Sequence, residues 1–124
     1  MSVPILKQGD VLIASIQSDL NDHDLVQLRD DVAEKVGRFK SLGVVIDVSM
    51  LDVMDSFATR TLRTIGDTTR LRGAETIIVG IQPDVAIAMV QLGLTMDGIP
   101  TALDLEEGLE LLKASIRGSR QRGS

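Results

Sequence analysis

The chain has no cysteine, which excludes disulfides, thiolate nucleophiles and Cys-based metal sites. Trp and Tyr are missing too, and Phe39 and Phe57 are the only aromatics. Stacking platforms for bases are therefore absent, and aliphatic side chains must build the core. The single histidine, His23, falls in the acidic first turn of an expected helix, away from any strand end, and offers no nucleophile triad. Basic residues are outnumbered 13 to 18, and the net charge of −5 repels nucleic acid and anionic membrane alike. No stretch approaches the roughly 18 apolar residues of a membrane span. The start, MSVPILKQGD, lacks the basic region and long apolar run of a signal peptide, so the expected location is the cytoplasm.

What is present is a balanced globular composition: 124 residues, 44% hydrophobic and 25% charged, enough for one domain with a core. Residues 3–7 and 11–17 read as a strand pair around the turn KQGD. Asn21 or Asp22 then caps a helix in which Leu25, Leu28, Val32, Val36 and Phe39 repeat at helical spacing, up to a stop at Gly43. The run 43–48 is short, apolar and β-branched, as in strands buried on both faces of a parallel sheet. A second helix is expected from Asp55–Ser56 to about Arg72, ended by Gly73, followed by a strand over 75–81. Pro83 suits the first turn of a third helix ended by Gly93. That helix is apolar on most sides, which predicts core packing first and a surface shared with another subunit second. A last strand is expected over 99–104, then a helix capped by Asp104 with Glu107 and striped by Leu105, Leu109, Leu112 and Ile116.

The order β-β-α-β-α-β-α-β-α requires crossover helices and a mixed, mostly parallel sheet of about five strands with about four helices. Partner or ligand chemistry is then expected at the C-terminal ends of the strands. The domain is expected to span residues 1–117. Residues 118–124, which carry Arg120 and Arg122 just beyond Arg117, have no acid and no apolar periodicity and read as a disordered basic tail.

Information concentrates at the start of the second helix. At 100° per residue Ala58, Leu62, Ile65 and Thr69 share one side, and Ser56 points roughly the other way. A helix start offers unpaired N–H groups and the positive end of the dipole, both of which favour an anion such as a phosphate. Arg60 lies one turn on along the same face, and Arg63, Arg70 and Arg72 add positive charge to the segment. Read by themselves, Asp55 and Ser56 are the residues that helix starts prefer as N-caps in any case.

The string V-I-D-V-S-M-L-D-V-M-D-S-F-A, followed by V-G-I-Q-P-D-V-A and L-G-L, resembles the STAS domain family of sulfate transporters and anti-sigma-factor antagonists. Its D-S-F-A, in place of D-S-S-G, together with G-I-Q-P, is similar to the stressosome scaffold branch of that family. The resemblance implies a non-enzymatic scaffold that co-assembles with RsbR-type STAS paralogues into a large assembly and sequesters an RsbT-type serine kinase. The kinase would be released on phosphorylation of Ser56, with Asp55 flanking the site, Arg60 as an intramolecular partner, and a phosphatase resetting it. No cofactor or metal is implied.

Two further readings stay open at this stage. Asp47, Asp52 and Asp55 crowd one strand end, as in a receiver domain that phosphorylates an aspartate with Mg²⁺; Asp47 would be the acceptor. Against this, VLIASIQ supplies no second acidic pair, and no lysine precedes Lys113 after the last strand. A small-ligand or nucleotide-binding module would use Gly80 to Pro83 and the strand ends, without a Gly-rich phosphate motif. Thr59, Thr61, Thr64, Thr68 and Thr69 make the second helix threonine-rich, which leaves room for a second phosphosite, although ordinary surface or core-edge packing is the expectation.

Overall fold

The computed structural model describes residues 3–18 and 20–122. The chain opens with an antiparallel hairpin, β1 (Ile5–Gln8) and β2 (Val11–Ser15), closed by the two residues Gly9 and Asp10. Only Gly9 takes a positive φ (+60°), the pattern of a II′ turn, whose twist matches that of the flanking strands. The strands β2, β3 (Gly43–Asp47), β4 (Glu75–Val79) and β5 (Thr101–Ala102) run parallel, and the sheet order is β1-β2-β3-β4-β5. The helices are α1 (Asp22–Phe39), α2 (Ser56–Leu71), α3 (Pro83–Gln91) and α4 (Leu105–Arg122), which gives the expected element order.

Sheet order equal to chain order has a consequence for layering. Crossovers of one hand between successive parallel neighbours place their helices on one face. Leu12, Ala14, Val44, Ile46 and Ile78 accordingly pack with α1, α2 and α3, whereas α4, which follows the last strand, is free to fold onto the opposite face. There Leu112 meets Val11, Ile13, Val45, Ile77 and Val79. With both faces covered, the central strands read as continuous apolar runs instead of alternating ones.

Several boundaries differ from expectation. Helix α1 starts where predicted, with Asn21 and Asp24 forming a reciprocal capping box, but stops at Lys40 in the left-handed region (φ 51°), whose N–H reaches the Val36 carbonyl. Gly43 does not end that helix; it is the first residue of β3, and a Cβ there would lie 2.6 Å from Leu112 Cδ2. Its glycine is needed for the close approach of α4. The last strand shrinks to Thr101–Ala102, since Ile99 turns inward, packed so closely on α2 that a Cβ on Gly66 would sit 2.5 Å from it, and Pro100 has no N–H to pair. Half of the expected box at α4 forms as expected, and the reciprocal bond shifts by one residue. Asp104 accepts from the Glu107 N–H at 2.9 Å, while the Glu107 carboxylate faces the N–H of Leu103 at 3.4 Å. The helical backbone of α4 continues to Arg122, beyond the expected end of the domain at 117, because extending a formed helix costs far less than starting one. Residues 123 and 124 of the expected tail lie outside the described residues.

Helix α3 is the main correction to the core. Only Val85 and Met89 are buried, whereas Ile87, Val90 and Leu92 are 56%, 78% and 70% exposed. A nine-residue helix has room for one short inward stripe, so apolar residues on its remaining sides face outward. Three of the five α2 threonines are packing residues: Thr59, Thr61 and Thr69 are buried, and their hydroxyls bond to the carbonyls of Asp55, Phe57 and Gly66, whereas Thr64 is exposed and Thr68 half-buried. Among the described residues no helix is long and apolar enough to cross a membrane.

Candidate functional site: the N-terminus of the second helix

The C-terminal ends of β3 and β4 carry two loops, residues 48–55 leading into α2 and residues 80–82 leading into α3. Asp55 is the N-cap of α2. Its extended backbone (φ −81°, ψ −178°) lets the carboxylate turn back and accept from the Ala58 N–H at 2.8 Å. Its carbonyl accepts both the N–H and the hydroxyl of Thr59, at 3.0 and 2.9 Å. The expected ordinary capping role of Asp55 is thus satisfied, and the cap is fixed by three bonds.

That arrangement decides what Ser56 is. It is the first helical residue, is exposed, and among the described residues its side chain takes no part in capping. Helix α2 buries Ala58, Leu62, Ile65 and Thr69 on the far side, so the hydroxyl of Ser56 faces solvent. The guanidinium of Arg60 folds back along the same face and donates to the Ser56 carbonyl at 3.3 Å through Nε. Arg70 and Arg72 do not join it. They lie at the other end of a helix about 24 Å long, where Arg70 donates to the Gly98 carbonyl at 2.6 Å and pairs with Asp67, and Arg72 packs over Gly37. The positive charge that the sequence spreads along α2 is therefore divided, and it is Arg60 that bonds to Ser56.

A cleft of about 380 Å³ opens beside this corner, floored by Leu25, Leu51 and Leu62 and edged by Asp22, Asp52 and Asp55. Asp47, at the end of β3, accepts from the Ser49 N–H at 2.9 Å. Among the described residues the acidic side chains form no group of three suited to a metal ion, so the crowding of Asp47, Asp52 and Asp55 in sequence is not a ligand set in space. The second loop packs against the first. Gly80, at φ +81°, crosses so near Ser49 that an added Cβ would meet Ser49 Cβ at 2.9 Å. Gln82 stands in the G-I-Q-P stretch but had no role of its own in the sequence reading, and its amide nitrogen donates to the Ser49 carbonyl at 2.9 Å and to the Asp52 carboxylate at 3.3 Å.

A five-stranded mixed sheet whose second crossover helix begins at an exposed serine after a capping aspartate defines a class. The model of the STAS domain family matches residues 2–108, and the chain belongs to that family. Within it, the chain is similar to a serine-to-glutamate variant of RsbS from Moorella thermoacetica, with 36% identity and a TM-score of 0.80 over 93% of this chain and 97% of that one. It is also similar to a chain from the molecular architecture of the stressosome, a signal integration and transduction hub, with 38% identity and a TM-score of 0.78 over 92% of this chain and 99% of that one. The RsbT co-antagonist protein RsbRD of Bacillus subtilis (strain 168) is 28% identical over 110 residues, 88% of this chain and 40% of RsbRD. The chain spans about two fifths of the length of such RsbR-type relatives. It is a STAS domain related to stressosome components.

Proposed function

We propose that the protein is a non-enzymatic stressosome scaffold that holds an RsbT-type serine kinase and lets it go once that kinase has phosphorylated Ser56. The observation that carries this reading is the geometry of α2: an exposed serine at the first helical position, with capping left to Asp55. The hydroxyl attacks the γ-phosphoryl group of the kinase's ATP, loses its proton to a base on the kinase, and ADP leaves. The product adds about two negative charges and three acceptor oxygens at a helix N-terminus, where backbone N–H groups and the dipole receive them. Arg60 exchanges its bond with the Ser56 carbonyl for one with the phosphate. The surface that held the kinase thereby changes both its charge and its shape.

RsbR-type STAS paralogues are the co-assembling partners, in keeping with relatives of that type and with the stressosome structure that this chain resembles. Apolar Ile87 and Val90 on α3, with Leu92 at its C-cap, give such an assembly surface to cover. A cognate phosphatase resets Ser56, and the whole cycle runs in the cytoplasm without nucleic acid or membrane and without a metal site on this protein. The test is binding of the unmodified kinase to two variants. Ser56→Ala should retain the kinase and Ser56→Asp should loosen it, in part because a carboxylate has one charge and lacks the third oxygen. Equal retention by both variants would remove the switch.

A further inference from the structure

Gln82 occupies the N-cap position of α3 without capping it. Pro83, at the next position, has no N–H to satisfy, which lowers the demand for a cap and leaves the amide of Gln82 for other work. An amide nitrogen carries two protons, and here each has an acceptor on the other loop: the Ser49 carbonyl at 2.9 Å and the Asp52 carboxylate at 3.3 Å. Ser49 is gripped from two further sides, by Asp47 Oδ1 on its N–H at 2.9 Å and by the close crossing of Gly80. The loop that delivers Ser56 is therefore fixed at its beginning by Gln82 and at its end by the Asp55 cap. Between these two points Met50 and Val53 stand 55% and 75% exposed, apolar handles at set positions relative to the serine.

We infer that Gln82 is a positioning residue for phosphorylation of Ser56, holding the 49–55 loop in the one geometry in which the kinase meets the loop and the serine together. The inference rests on the function proposed above. Gln82 touches neither the serine nor the phosphoryl group, so its loss acts on recognition and not on transfer.

Gln82→Glu tests this with almost no change of shape, because it turns an acceptor toward two acceptors, one of them charged. Gln82→Arg is the rescue, since its Nε sits as many bonds from the backbone as the amide nitrogen of Gln82 and restores a donor. With purified kinase, Gln82→Glu should raise KM for this protein about tenfold, the scale set by losing a hydrogen bond to a charged group. kcat should stay within roughly twofold, as for a lost binding interaction. Amide exchange should quicken in 49–55 while β4 stays protected, and Gln82→Arg should recover much of both changes. A wild-type KM in Gln82→Glu, or faster exchange spread through β4, would overturn the inference. If the unaltered chain takes no phosphate on Ser56, it is the proposed function that has failed; if it does and Gln82→Glu matches it, the failure is that of the positioning role alone.

Discussion

Helices α2 and α3 leave neighbouring strands at the same end of the sheet, yet they are held in opposite ways. Seven residues of α2 are buried and a carboxylate caps its first turn, whereas α3 buries two residues and has no side-chain cap. A helix anchored along its length can carry an exposed functional group at its tip without shifting, because packing sets its position and the tip is spared. A short helix anchored by two side chains keeps its other faces for contacts outside the chain. The first suits a modified serine, and the second suits an assembly surface.

Substitutions can break this contrast. The largest effect is expected from Leu62→Ala, which empties a fully buried site between α2 and the sheet. It should cost about 4 kcal/mol, read from the midpoint of urea unfolding. Met89→Ala removes one of the two anchors of α3 near the edge of the core and should cost about 2 kcal/mol, the lower end for such truncations. Equal losses in the two variants would mean that α3 is held as firmly as α2. Asp55→Ala should cost about 1 kcal/mol, the worth of an N-cap, and Asp55→Asn should give nearly all of it back, since an amide oxygen also accepts from the Ala58 N–H. The smallest change in stability is expected from Val90→Ser, within about 0.5 kcal/mol, because the side chain is already in solvent. The same variant should lower the size of the complex formed with an RsbR-type partner in sedimentation, and an unchanged size would place the assembly surface elsewhere.

Much of this molecule was legible in its sequence, for identifiable reasons. The stripe of α1, the apolar run of β3 and the opposed faces of α2 were readable because each follows from the period of one element. The start of α2 at Asp55 and Ser56 was readable because capping chemistry is local, whereas the choice of Ser56 as a candidate site came from the family resemblance. The end of α1 at Lys40 was hidden, since a left-handed residue that is not glycine leaves no compositional mark. The exposure of α3 was hidden as well: apolar residues on all sides predict burial only if there is something to bury them. The bonds of Gln82, a residue of the G-I-Q-P stretch, escaped for a different reason. Its partners, Ser49 and Asp52, lie 33 and 30 residues away, and no periodicity within one element links positions on two loops. The division of the arginines, with Arg60 at the serine and Arg70 and Arg72 at the far end, follows from helix length, which the sequence contains but a count of charges ignores.

The central claim is that Ser56 receives a phosphate from a partner kinase. The most direct measurement is the intact mass and phosphosite map of the protein after incubation with ATP, Mg²⁺ and an RsbT-type kinase, with Ser56→Ala alongside. A single phosphate on Ser56, absent from Ser56→Ala, is the predicted result. No phosphate at all, or one mapped to Asp47, would contradict it.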